Sequence, residues 1–366
     1  MAVPFLDVSQ SYRQLATQIQ SALIHTLEQG QYVLGQALEQ FEHDFAEYTH
    51  TRYCIGVGTG LDALKLTLQA WDIGVGDEVI VPSHTAFPTW LAVTAVGAQP
   101  VPWEPKGHEY HADPDLLEEL ITPRTRAVIP VHLYGQCVDM QVVQHIARRH
   151  DILILEDAAQ AHGAKSHGHH PGFWGDAAAW SFYPSKNLGA FGDAGAITTN
   201  DRALRNRLHL LRNYGSTVKY VNEIAGSNSR LDDLQATILR VKLPYLESWN
   251  ACRQHIAQRY LTELRQTSLI LPSTRDVRES VWHVFPVQHR DRDRLQRYLN
   301  DCGVQTLIHY PIAPHLQRAY QHLGFKPGSL PIAESIAQHE LSLPMGPHLT
   351  EDQVTTVIQC LLAFAR

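Results

Sequence analysis

The sequence predicts an α/β chain: a large domain with a mostly parallel seven-stranded sheet, then a smaller C-terminal α/β unit. Two observations carry this. Short β-rich apolar runs alternate with helical patterns from about residue 53 to residue 200, as βαβ units do. After Arg230 the texture changes to a long stretch with few breakers, which connects to the remaining residues. The length of 366 residues suits one large and one smaller domain. The expected division is residues 1–245, with an N-terminal helical arm, and residues 246–366.

The strand candidates are residues 53–57, 78–82, 101–103, 127–132, 152–156, 178–182 and 196–199. Between the first two, Leu61, Leu64, Leu68 and Trp71 form a helical stripe that can lie on the sheet. Asp113-Pro114 predicts a helix start, with Asp as N-cap and Pro in the first turn. Residues 231–243 and 246–267 read as helix interrupted at Pro244. The C-terminal unit has strand candidates at 281–287 and 304–309 and a last helix over 351–364. Residues 290–294, Arg-Asp-Arg-Asp-Arg, read as a solvated helix start.

Composition narrows the function classes. A formal net charge of -7, with no long basic block, gives no electrostatic footprint for nucleic acid or an anionic membrane. Five scattered cysteines without CxxC spacing fit neither a disulfide framework nor a zinc site and point to a reducing, cytoplasmic setting. No secretion signal or apolar span is read. The cluster His162, His167, His169 and His170 invites a metal, but residues 167–172 read better as a polar turn. Small molecules and a second copy of the chain are the expected partners.

The chemistry is expected from two segments. Glu156-Asp157 closes a strand candidate, and neighbouring strand residues point to opposite faces, so one of the two faces the ligand crevice at the carboxyl edge of the sheet. Lys186 lies downstream in a loop of small and aromatic residues, Ser181 to Gly195. An amine that can form an imine with an aldehyde, and a carboxylate that can hold a pyridine ring protonated, are what pyridoxal phosphate needs from a protein. A desolvated lysine near a cationic ring has a lowered pKa and can act as nucleophile and then base. The turn Gly56-Val57-Gly58-Thr59-Gly60 before a helix can offer free amides to a phosphate. Its spacing is GxGxG rather than the GxGxxG of a dinucleotide turn.

These motifs resemble the DegT/DnrJ/EryC1/StrS sugar aminotransferases. The resemblance extends from residues 3–7 through Gly35, the 58–64 turn, residues 131–136 and both cofactor segments, to residues 228–232 and 309–311. It implies the aspartate aminotransferase fold (pyridoxal phosphate fold type I), with Lys186 linked to the cofactor and shuttling the proton. Asp157 would face the pyridine nitrogen, Gln160 the ring hydroxyl, and Ser181 with the Thr59 and Gly60 amides the phosphate. Asn228 would reach the phosphate of a neighbouring subunit, so a homodimer with shared active sites is implied. One position departs from the family pattern: Ala86 stands where a ring-stacking aromatic is expected, and Phe87 follows one residue late.

Within that family the chain looks most like the branch that aminates C3 of a dTDP-linked 3-keto-6-deoxyhexose with glutamate as amine donor. Tyr183, Tyr214, His309 and Tyr310 are the substrate-binding candidates. Lysine rather than histidine at position 186 favours transamination over dehydration. The alternatives are C4 amination of a UDP- or dTDP-4-keto sugar, a nicotinamide-dependent sugar oxidoreductase, and a cofactor-binding regulatory protein without turnover.

Overall fold

The structure, a computed structural model, describes residues 2–107, 110–273 and 277–364. Two helices, α1 (Gln10–Gln29) and α2 (Gln36–Tyr48), precede the sheet. There follow β1 (Tyr53–Val57), α3 (Gly60–Ala70), β2 (Glu78–Pro82), α4 (Phe87–Ala95), β3 (Gln99–Trp103), β4 (Thr125–Val128), α5 (Met140–Arg149), β5 (Leu153–Asp157), β6 (Ala177–Ser181) and β7 (Gly195–Thr199). Among the described residues these seven strands form one sheet in the order β1-β7-β6-β5-β4-β2-β3. β7 runs antiparallel to both of its neighbours and the remaining pairs are parallel. The expected α/β class and mostly parallel seven-stranded sheet are therefore observed.

The strands are short and buried on both faces, as parallel strands under helical layers must be. On one face α3 and α4 place Leu64, Leu68, Trp90 and Val93 against Val79, Val81 and Ile197. On another, Phe41 and Phe45 of α2 pack edge-on against Phe182. Each aromatic contact of this kind adds about 1 kcal/mol beyond its buried area.

Several expectations need correction. Strand 127–132 stops as a regular element at Val128. Pro130 has no N–H to give the ladder, and only an isolated bridge from Val131 to Asp157 carries the path on. Asp113 caps a 3₁₀ turn, Pro114–Leu116, by accepting the Asp115 N–H at 3.1 Å, instead of starting a full helix. Pro244 sits in the 3₁₀ turn Leu243–Tyr245, the expected interruption, and the second helix ends at Glu263.

After β7 come α6 (Arg202–Leu211), a hairpin of β8 (Ser216–Val218) and β9 (Val221–Asn222), α7 (Asp233–Lys242) and α8 (Leu246–Glu263). The C-terminal unit contains β10 (Phe285–Gln288), α9 (Arg292–Asp301), α10 (Pro331–His339), β11 (Glu340–Leu343) and α11 (Glu351–Phe364). Strand 281–287 is thus shortened, and β10 pairs antiparallel with β11, which the sequence pattern did not suggest. Residues 304–309 form no strand: Val304 bridges Val3 and Leu307 bridges Ser342, each singly. The helix start at 290–294 is not wholly solvated, because the Arg292 side chain is 11% exposed and its guanidinium donates to the carbonyls of Ala337 and Glu340. Trp282, Phe285, Leu295, Leu341 and Leu361 close a separate core, to which α8 contributes Ile256 and Tyr260.

Candidate active site

The site forms where β1, β5 and β6 end and antiparallel β7 begins. Val57 and Ser181 both pair with Gly195. A Cβ on Gly195 would lie 2.4 Å from the Thr59 carbonyl, and one on Gly60 would lie 2.6 Å from Ser181 Cβ. Glycine at both positions lets the turn before α3 close onto β6 and β7. Thr59 caps α3 by accepting the Asp62 N–H at 3.0 Å, leaving the first amides of the helix without intrahelical partners. Thr59, Gly60 and Ser181 are thus brought together, with the geometry of an anion cradle.

The adjacent pair on β5 points to opposite faces of the sheet, and Asp157 is the member that feels the charge of Lys186. Glu156 accepts the N–H groups of Gly172 and Gly175 at 2.8 and 2.7 Å and pairs with His132 Nε2 at 2.8 Å. Asp157 is nearly as deeply buried but accepts only the Thr89 hydroxyl at 2.9 Å and the Ala159 N–H at 3.2 Å. Burial therefore raises its pKa, and Lys186 pulls in the opposite direction. Thr89 was missed by sequence reasoning, although it lies in the same 83–90 segment as Ala86.

Lys186 sits in a turn closed by its own N–H to the Tyr183 carbonyl at 2.8 Å. The next residue fixes that turn: Asn187 donates to Asn250 Oδ1 and to the Val281 carbonyl and meets His283 Nδ1 at 3.1 Å. Burial lowers the Lys186 ammonium to about 8 against the pull of Asp157. Burial, helped by the positive charge of Lys186, also holds His309 down at about 4 and His162 at about 3. Asp157, Lys186 and His309 therefore share one electrostatic environment, with the histidines neutral.

Gln160 accepts the Tyr134 N–H at 2.6 Å and donates to the Tyr310 hydroxyl at 3.1 Å, joining two expected site residues. The Tyr134 hydroxyl donates to the His309 carbonyl and is met by His84 Nε2 at 2.9 Å. His84 and Tyr134 are further groups that the sequence did not single out. Ala86 is the N-cap of α4, and the Phe87 ring packs on Tyr320 at 5.2 Å. Tyr183 is 55% exposed beside the Lys186 turn. Tyr214 and Asn228 lie on the exposed segment around β8 and β9, where Arg230 covers the Tyr214 ring at 5.3 Å. Among the described residues no hydrogen bond or ring contact joins these two to the Lys186 cavity. Ser229, next to Asn228, accepts the Gly58 N–H at 3.0 Å and anchors that segment beside the turn before α3.

The residues fit pyridoxal phosphate on their own terms. A buried carboxylate with too few donors needs a cationic partner, a desolvated lysine whose amine has no hydrogen bond among the described residues is available to an aldehyde, and an amide-lined cradle suits a phosphate. The fold and the site together define a pyridoxal-phosphate-dependent aminotransferase. The profile of the DegT/DnrJ/EryC1/StrS aminotransferase family matches residues 13–362, and the chain belongs to that family. It is 52% identical over 366 residues to the erythromycin biosynthesis sensory transduction protein EryC1 of Saccharopolyspora erythraea, covering 100% of both chains. It is 50% identical over 366 residues to a dTDP-3-amino-3,4,6-trideoxy-alpha-D-glucose transaminase of Streptomyces venezuelae, covering 99% of this chain and 96% of the relative. The crystal structure of S. venezuelae DesV in complex with a ketimine intermediate superposes with a TM-score of 0.98 at 49% identity, over 100% of this chain and 99% of that one.

Proposed function

We propose that the protein transfers the amino group of glutamate to C3 of a dTDP-linked 3-keto-6-deoxyhexose. The reading rests on one observation above all: a desolvated Lys186 amine facing an underbonded, buried Asp157. The bound cofactor supplies an aldehyde that receives and hands on the amine, and an electron-poor ring that draws electrons from the carbon bearing it. Lys186 would be the catalytic residue, its amine holding the cofactor's aldehyde between turnovers and, when free, moving the proton at the substrate carbon. Asp157 holds the opposite charge to the ring, with Thr89 orienting its carboxylate. Ser181 and the amides of Thr59 and Gly60 hold the phosphate, Gln160 the ring hydroxyl, and Phe87 the side of the ring left open by Ala86.

Tyr183, His309 and Tyr310 border the space available to the sugar. Exposed Asn228 and Tyr214 fit a role in a neighbouring subunit's site, so the working unit is proposed to be a homodimer in the cytoplasm. The division into units at residues 245 and 246 belongs to the same proposal. A dTDP-3-amino sugar in the name of a relative at 50% identity supports C3 and dTDP over the C4 and UDP alternatives. Among the described residues no helix is long and apolar enough to cross a membrane.

A relative named as a sensory transduction protein keeps a regulatory reading in view. The lysine, the carboxylate and the phosphate cradle are all present here and favour turnover. Incubation with glutamate and a panel of dTDP- and UDP-linked keto sugars, reading product mass and amine position, tests the proposal. A new amine at C3 of a dTDP sugar is the expected result. Amination at C4, or of no sugar, would reject it.

A further inference from the structure

The two ring nitrogens of His309 have different surroundings. Nδ1 lies 2.8 Å from the Ser342 hydroxyl, whereas Nε2 has no hydrogen-bond partner among the described residues. The Ser342 hydroxyl also meets Glu340 Oε1, and Glu340 Oε2 accepts the backbone N–H of His309 at 2.6 Å. Glu340 and Ser342 are two apart on β11, so their side chains share a face, and both are fully buried. Glutamate, serine and histidine therefore form a closed ring of hydrogen bonds.

The direction of that ring is determined. A backbone N–H can only donate, so Glu340 Oε2 is always an acceptor. When Glu340 is a carboxylate, Oε1 accepts as well, and the single Ser342 hydrogen points to it. Ser342 then accepts from His309, so Nδ1 carries the ring proton and Nε2 is a bare acceptor. We propose that Glu340, acting through Ser342, is a positioning residue that sets the proton on His309 and thereby decides whether Nε2 accepts or donates toward the Lys186 cavity. The tautomer claim stands on this geometry alone. Its consequence for the sugar rests on the function proposed above, with a bare Nε2 accepting a hydrogen bond from a sugar hydroxyl.

The groups facing Glu340 are His309, Tyr310, Tyr134, Tyr110 and Ser342, with Arg292 of α9 as the nearby cation. Burial outweighs Arg292 and lifts the Glu340 carboxyl to about 8, while His309, at about 4, stays neutral throughout the range that matters.

Glu340→Gln is the discriminating variant. The amide oxygen must face the His309 N–H, which leaves its NH₂ donating to Ser342. The hydroxyl then turns to Nδ1, and the ring proton moves to Nε2. The test is a long-range ¹H–¹⁵N correlation spectrum of histidine-labelled protein at about pH 9, where the carboxylate form dominates, with His309 assigned by difference from His309→Asn. The wild type should show a protonated Nδ1, Glu340→Gln a protonated Nε2, and Ser342→Ala a mixture. At about pH 6.5 the wild type should take on the Glu340→Gln pattern.

In activity at about pH 9, where the two proteins differ in tautomer, Glu340→Gln should slow the keto-sugar half-reaction about tenfold more than the glutamate half-reaction, the worth of one hydrogen bond; at about pH 6.5 that difference should vanish. An unchanged tautomer in Glu340→Gln, or a protonated Nε2 in the wild type at about pH 9, would overturn the relay. Equal losses in both half-reactions at the higher pH would overturn its link to the sugar. If the wild type aminates no keto sugar, the proposed function falls while the spectra still decide the relay.

Discussion

The two sides of β5 hold adjacent carboxylates of opposite character. Glu156 has a full set of donors, two backbone N–H groups and His132. Asp157 has two, and no cation within bonding distance among the described residues. Two desolvated lysines show the same contrast. Lys242 and Lys186 are both held at about 8 by burial, but Lys242 donates to the Gly189 carbonyl and lies over the Phe191 ring, whereas the Lys186 side-chain amine has no hydrogen bond among the described residues. In these two pairs the saturated member stabilises the fold, and the unsaturated member is the one left available to a ligand.

The strongest challenge to this contrast is Lys186→Ala. Amination should fall by about 1,000-fold or more, while chemical denaturation should show no loss of stability, since a buried charge has been removed. Retention of normal turnover would end the assignment.

The neighbouring carboxylates should separate cleanly. Asp157→Asn should lower amination about 100-fold with little change in the unfolding midpoint. Glu156→Gln should cost about 2–4 kcal/mol, because its NH₂ would face the His132 Nε2–H, yet leave the turnover of folded protein within a few-fold. Similar behaviour of the two variants in denaturant and in the amination assay would erase the distinction between the faces.

pH sharpens the lysine comparison. Lys186 titrates at about 8 when folded and near 10.5 when unfolded, so between these values the unfolded chain binds more protons. This group's contribution to stability therefore rises with pH across that window, and its deprotonated fraction grows about tenfold between pH 7 and pH 9. The rate at which cofactor-free protein gains visible absorption with pyridoxal phosphate should follow that fraction, and a flat profile would contradict it. Thr89→Val should have the smallest effect, about 3- to 10-fold in amination, because it removes one hydrogen bond from Asp157.

Much of this was legible in the sequence because it depends on local order. The seven strands, the Thr59-Gly60 turn and the Lys186 loop each occupy one short segment whose residue types state their geometry. Periodicity placed Asp157 at a strand end but left it level with Glu156, and the family resemblance alone chose it; the physical reason for that choice, the donors from Gly172, Gly175 and Thr89, comes from elsewhere in the chain. His309 and Tyr310 were recognisable as a motif, whereas Glu340 and Ser342 were not, since β11 pairs across a long separation with β10 and meets the 304–309 segment through one backbone bridge at Leu307 and the hydrogen bonds to His309. Residues 304–309 looked like a strand for the same reason: their apolar character serves packing rather than a continuous ladder.

Helix α8 runs without interruption from Leu246, packed beside Phe41 and Leu239, to Tyr260, packed on Phe285. Val3, near the start of the chain, is clasped between Gly303 and Gln305 by its own N–H and C=O groups. Heat should therefore melt the molecule in a single calorimetric transition, and trimming the first few residues should loosen the far end of the chain before it disturbs the helices beside the cut.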